Sequence, residues 1–174
     1  MTPYGLRQIF KWYPIQNLLP SEAKWGGYFT IPPPPVTATP TTYTTIVPLP
    51  AVTTTPIFGC AGCAGCAKND PRRGYNVGGI VLQVRAISST NMVASCALTI
   101  KNFVGNVVVV DSGHFYASFA PLTTFAPGLF PTATTTGIPG AENATVTMTQ
   151  KVGGTAPASN PLVYLACHFT TKKC

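Results

Sequence analysis

Proline sets the first limit on this chain. Residues 30 to 58 hold Pro32, Pro33, Pro34 and Pro35 in a row, then Pro40, Pro48, Pro50 and Pro56, set among Thr37, Thr39, Thr41, Thr42, Thr44, Thr45, Thr53, Thr54 and Thr55. Each proline fixes φ and removes a backbone donor, so helix is excluded and an extended, polyproline-like path is left. Solvated linkers usually carry charge and few apolar side chains. Here nothing between Lys24 and Lys68 is charged, and Val36, Tyr43, Ile46, Val47, Leu49, Val52, Ile57 and Phe58 share the segment. The expectation is an arm ordered by contact, laid over its own domain or over a neighbouring subunit. Residues 43 to 47 are the piece best able to add as a strand to a sheet edge.

After the arm the period of the chain becomes that of strands. Ile80, Leu82, Val84 and Ala86 alternate with Val81, Gln83 and Arg85, which predicts a half-buried strand. Residues 93 to 101 repeat the pattern with Cys96, Leu98 and Ile100 on one face. Residues 102 to 106 read as a hairpin turn and 107 to 110 as a β-branched strand buried on both faces. A further strand is expected over 113 to 119, with Phe115 and Ala117 opposed to His114, Tyr116 and Ser118. Residues 121 to 140 lack a clean period and predict a long loop or a loosely paired edge, and loops of that length usually have a job. Strands resume at 144 to 150, where Val146 and Met148 face one way, and at 162 to 170. Short strands without βαβ alternation predict an all-β fold, an antiparallel β-sandwich or jelly roll with a long extended N-terminal Pro/Thr-rich arm.

One helical pattern precedes the arm. Across residues 3 to 19, Leu6, Ile9, Phe10, Trp12 and Tyr13 share an apolar face opposite Arg7, Gln8 and Lys11, and Pro14 stops the pattern. It predicts a short N-terminal helix that folds back on its own domain, docks in a neighbour's groove or rests on a membrane surface. Four regions follow: an anchor segment over 1–29, the arm over 30–58, a Cys/Gly-rich junction over 59–75 with turn residues continuing to Gly79, and a β-sandwich domain over 76–174.

The junction is where chemistry is first sought. Cys60, Cys63 and Cys66 recur with two residues between them and could place three thiolates around Zn or an iron-sulfur cluster, given a fourth ligand from Cys96, Cys167, His168 or Cys174. A bacterial-ferredoxin spacing would put a cysteine before Pro71, where this chain has Asp70. Disulfides and packed free thiols are the alternatives. Cys96 and Cys167 fall at inward strand positions and read as packed core thiols or as a sheet-to-sheet disulfide. Arg72 and Arg73 follow the junction as basic contacts. A cysteine nucleophile would need a positioned base, and His114 and His168 both lie in strand-like segments. The four carboxylates, Glu22, Asp70, Asp111 and Glu142, are far apart in sequence, and no phosphate-binding loop is present. No enzyme is expected.

Composition turns the argument outward. Charged residues are 9% of the chain against about 25% in ordinary soluble proteins, which leaves too few to cover a free monomer and implies burial against other subunits. Eleven Lys and Arg against four Asp and Glu give a net charge of +7. These cations are scattered, so a mildly basic interface is favoured over nucleic acid, which remains a lesser alternative. No apolar run reaches the length of a membrane span and the N-terminus lacks a secretory pattern, so a chain used without secretion, with cysteines reduced at synthesis, is expected.

An extended Pro/Thr arm over residues 30 to 58 joined to a small, charge-poor β domain over residues 80 to 170 resembles the minor capsid, cement or coat proteins of icosahedral viruses. The resemblance implies a shell subunit without a cofactor, made in the host cytoplasm and residing in the virion, whose partners are copies of itself and a major capsid protein. Partner contacts would then fall to Leu6, Ile9, Phe10, Trp12, Tyr13, Tyr43, Ile46, Val47, Leu49 and Phe58. The alternatives are a β-sandwich subunit of an extracellular filament that donates a strand, and a small thiol or metal protein using Cys60, Cys63 and Cys66 with Zn.

Overall fold

The computed structural model describes residues 10–24, 26–47, 63–64, 75–76, 78–100, 108–134 and 144–173. Among the described residues, eleven strands are arranged in chain order: β1 (Lys11–Pro14), β2 (Gly27–Ile31), β3 (Thr41–Val47), β4 (Cys63–Ala64), β5 (Tyr75–Asn76), β6 (Gly78–Ser88), β7 (Asn91–Ile100), β8 (Val108–Ser118), β9 (Thr132–Thr134), β10 (Thr145–Lys151) and β11 (Val163–Lys173). Sheet 1 has the order β1-β2-β11-β8-β9 and sheet 2 the order β10-β7-β6-β3, while β4 and β5 form a two-residue ladder of their own. Neighbouring strands are antiparallel throughout. The expected all-β sandwich is the fold.

The alternation read in the sequence becomes the inter-sheet core. Leu82, Val84, Ala86, Met92, Ala94, Cys96 and Met148 from sheet 2 meet Ile31, Phe115, Ala117, Val163 and Leu165 from sheet 1. A second inward cluster joins Leu98, Ile100 and Val146 to Val110. Burying one such Leu or Ile side chain stabilises by about 1.5–3 kcal/mol. One corner is closed by the backbone: Phe119 N–H donates to the Gly153 carbonyl at 2.9 Å, Gly153 N–H to that of Ala117 at 3.0 Å, and Val152 N–H to that of Met92 at 2.8 Å.

Three expectations change. The helix expected over residues 3 to 19 is not formed in its described part, because residues 11–14 are β1 and Ile15–Asn17 is a single 3-10 turn; residues 3–9 lie outside the described residues. Trp12 and Tyr13 pair with Phe29 and Tyr28 across β1 and β2, and aromatic cross-strand pairs of this kind favour extended backbone. The two short strands expected around a break near residues 111–113 are one continuous strand, β8. The irregularity stays within β8 as a bulge: consecutive residues Thr170 and Thr171 of β11 pair with Ser112 and Val110, so Asp111 is the extra residue on the β8 side. At Gly113 a Cβ would crowd the Met148 thioether and the Phe169 ring at 2.9–3.1 Å, so glycine here makes room for core side chains rather than a turn.

Gly78 and Gly79, expected in a turn, open strand β6. Gly78 has φ +150° and lies so close to β7 that a Cβ would collide with the Thr99 carbonyl oxygen, whereas a Cβ at Gly79 meets nothing within 4 Å. Gly78→Ala is therefore expected to destabilise by about 1–3 kcal/mol, and Gly79→Ala by less than ~0.5 kcal/mol. Urea unfolding of the two variants side by side checks the contrast; equal midpoints would contradict it.

Candidate functional site

Sheet 1 is covered on its outer face as well. Ile15, Tyr28, Leu122, Phe125, Phe130 and Ala166 form a second buried cluster, with Tyr13, Leu18, Leu19, Tyr116 and Tyr164 packed around it. The cover comes from residues 15–24 and from the loop of residues 119–131, which is the job of the long aperiodic stretch; its continuation, β9, pairs with β8 as an edge strand. Aromatic contacts hold the layer: Tyr13 stacks on Tyr28 at 5.6 Å, Tyr28 meets Tyr164 at 5.9 Å, and Phe130 touches both Tyr116 at 5.9 Å and Phe125 at 6.4 Å. Polar ties fix the two covering segments. Tyr116 Oη donates to the Ala120 carbonyl at 2.9 Å, Gln16 Nε2 to those of Glu22 and Lys24 at 3.1 and 2.8 Å, and Lys24 Nζ to that of Phe125 at 3.5 Å. Burial, then the phenols of Tyr164 and Tyr13, raise the Tyr28 pKa above its ordinary value of 10.0. An open groove of about 420 Å³ runs between the segments, lined by Leu18, Leu19, Pro20, Ser21, Glu22, Thr123 and Thr124. Glu22 is its one charged group, and Glu22 Oε1 accepts from the Lys24 N–H.

Where that cover ends, the two histidines of the chain face each other. His114 of β8 and His168 of β11 are register partners, with ring centroids 6.2 Å apart. His114 buries its Nδ1 without a hydrogen-bond partner among the described residues. His168 keeps part of its ring open to water, yet its pKa is lowered from 6.5 by desolvation and secondarily by the His114 imidazole.

The outer face of sheet 2 is different in kind. Its positions fall in register rows: Thr149, Ser95, Gln83 and Thr44; then Thr147, Ala97, Val81 and Ile46; then Thr145, Thr99 and Gly79. A fourth row, Lys151, Val93, Arg85 and Thr42, carries two cations at one margin. Hydroxyls and amides bond laterally, with Gln83 Nε2 donating to Thr44 Oγ1 at 3.3 Å and the Thr99 and Thr145 hydroxyls 3.0 Å apart. The result is a face mostly of threonine, serine, glutamine and small aliphatic groups, with Arg85 and Lys151 at one margin.

Cys96 and Cys167 form a disulfide between β7 of sheet 2 and β11 of sheet 1, with Cα atoms 6.5 Å apart. Joined in this way, neither supplies a thiolate to a metal, and no group of three or more His, Cys, Asp or Glu that could hold an ion occurs among the described residues. Cys63 is described only in its backbone, paired with Asn76. Cys60, Cys66, Cys174, Leu6, Ile9, Leu49, Phe58, Arg72 and Arg73 lie outside the described residues. Of the expected partner contacts, Phe10 and Tyr43 pack against the inter-sheet core of their own chain, and Tyr13 packs in the outer layer. Trp12 pairs with Phe29 in register. Ile46 and Val47 pair with Val81 and Ile80 in β6, so residues 41–47 of the arm add as an edge strand to their own sheet 2.

Sequence reasoning missed the histidine pair and the outer layer. The alternation over residues 113–119 assigned His114 to a face, but no local signal gives the register of β8 against β11.

The disulfide closes a loop with a sequence separation of 71. Replacing it through Cys96→Ala with Cys167→Ala is expected to cost about 2–5 kcal/mol, seen as a lower urea midpoint. An unchanged midpoint would mean that core packing alone holds the sheets together. Protonation gives a second expectation. Because the folded pKa of His168 is lowered from 6.5, the unfolded chain binds a proton first as pH falls, so stability present above 6.5 is lost as pH drops through the folded value. Melting temperatures measured between about pH 8 and pH 4 should decline less steeply for His168→Gln than for the wild-type chain; parallel profiles would remove His168 from the acid response. Comparisons with protein-family models, curated proteins and solved structures found no match.

Proposed function

We propose that this protein is a structural subunit of a large assembly, a virion shell protein of the minor capsid, cement or coat kind, joined to copies of itself and to other shell subunits through sheet 2. The observation that carries the reading is the outer face of that sheet, where three successive register rows hold no charged side chain and the fourth holds only Arg85 and Lys151. A monomer in water gains from interspersed charge on such a face. A subunit in a shell would have to strip that charge of water to bury it, and gains from hydroxyl and aliphatic groups instead.

The strand edges support the same reading. In sheet 1 the edge strands are short, four residues in β1 and three in β9, and β1 carries Lys11 and Pro14, both of which discourage edge pairing. β3 is an edge strand of sheet 2 with seven uncharged residues. On this reading the Pro/Thr-rich arm of residues 30–58 gives β3 to its own sheet and uses the outer edge of β3 to take a strand from the neighbouring subunit.

A second reading, a subunit of an extracellular filament that exchanges strands, is favoured by the Cys96–Cys167 disulfide, since such bonds persist in oxidising surroundings.

Electron microscopy of native material, with light scattering of the purified chain over a concentration series, tests the assembly role. Closed shells support the first reading and fibres the second. Placing charge on the face through Ser95→Lys with Thr147→Lys should abolish assembly while changing unfolding free energy by less than about 1 kcal/mol, because both positions are on the sheet surface. A wild-type chain that stays monomeric at every concentration and is found in no particle would sink both readings.

A further inference from the structure

His114 and His168 stand out chemically because they are the two histidines of the sequence and β8 and β11 set them directly opposite each other. Residues so placed on antiparallel strands have Cβ atoms about 4.5–5.5 Å apart on the same face. Both rings therefore rise from one side of sheet 1, with centroids 6.2 Å apart and planes inclined by 38°. Next along the same face lie Ser112 and Tyr116 on β8 and Ala166 and Thr170 on β11, none of them charged. The His114 Nδ1 is buried without a partner among the described residues, a state that native structures usually avoid by supplying a ligand, a water or an ion. His168 is open to solvent, so the pair has an approach.

We propose that His114 and His168 form a two-imidazole site for a borderline divalent cation, Zn2+, Ni2+ or Cu2+. Neutral imidazole is a preferred ligand of all three. With metal–nitrogen bonds of about 2.0–2.1 Å, two rings on one ion have centroids about 5 Å apart, so the present 6.2 Å closes through modest rotation of the rings. The χ2 torsion that governs this movement is broad in histidine. Water or a small anion from solvent fills the remaining positions, since no third protein ligand is grouped with the pair among the described residues. The ion links β8 to β11 and, binding the folded chain alone, stabilises it by mass action. This site is separate from the Cys60, Cys63 and Cys66 series and does not depend on the assembly role.

The experiment uses the full chain, free of chelator and reductant, titrated with Zn2+ by calorimetry and with Cu2+ under electron paramagnetic resonance. One ion per chain, a copper spectrum showing two imidazole nitrogens and a higher melting temperature with metal are expected. Both His114→Gln and His168→Gln should lose this binding, while Cys60→Ser with Cys63→Ser and Cys66→Ser should keep it. If His114→Gln does not fold, His168→Gln at its exposed position decides alone. The proposal is overturned by a wild-type chain that binds no ion, by binding that survives His168→Gln, or by binding lost in the cysteine variant, which would put the ion on the thiols.

Discussion

Strand β11 is hydrogen-bonded to β2 on one side and β8 on the other, and both of its faces are covered by different parts of the chain. Inward, Val163, Leu165 and Cys167 meet sheet 2. Outward, Ala166 and Tyr164 are covered by the layer built from Ile15, Leu122, Phe125 and Phe130. A strand in this position has no solvent face on which to place charge along its first half, and residues 161–167 accordingly read Pro-Leu-Val-Tyr-Leu-Ala-Cys. The need to cover both sides explains why so short a chain spends two irregular segments as cover. Without residues 15–24 and 119–131, the aromatic rings of Tyr28, Tyr116 and Tyr164 would form an exposed patch on sheet 1.

The parts of this fold legible in the sequence are those set by local period. Leu82, Val84 and Ala86, the inward phase of Cys96, Leu98 and Ile100, Phe115 with Ala117, and Val146 with Met148 all face the core as their alternation requires. Residues 10–14 were misleading for a physical reason. Two turns of helix and a short aromatic strand both cluster apolar groups, and the choice is made by Phe29 and Tyr28, which lie too far along the chain for a local pattern to include. The outer layer was hidden because Leu122, Phe125 and Phe130 reach it from irregular backbone, which has no period. Cys96 and Cys167 could each be assigned an inward phase. Their bond depends on how one sheet lies over the other, and the histidine pair depends on strand register; neither is a local quantity.

The two outer faces divide the chemistry of the molecule. On sheet 1, an apolar layer is interrupted by tyrosine hydroxyls, the imidazoles, the hydroxyls of Thr30, Ser112, Ser118 and Thr170, and Lys11 on the edge strand. On sheet 2, polarity is spread as threonine, serine and glutamine that satisfy one another laterally, as Gln83 does with Thr44 and with Ser95. Such mutual bonding limits the rotamer freedom of these side chains more than a field of lysines and glutamates would. The same composition that leaves the chain poorly charged therefore also leaves it with a laterally bonded outer face on sheet 2.

Cys167 and His168 are adjacent on β11 and point to opposite faces, one into the disulfide with β7 and the other toward His114. The strand thus carries a covalent tie to sheet 2 and a polar pairing across sheet 1 within a single residue step. A displacement of β11 along its axis by one residue would exchange the two faces, sending His168 into the apolar core and Cys167 away from Cys96. The disulfide fixes the register in covalent terms and the core fixes it in terms of burial, and the placement of the histidines follows from both. The separation of the two imidazoles is accordingly a property of the whole sandwich, set by Cys96, Phe115 and Leu165 on the far side of the strand as much as by the rings themselves.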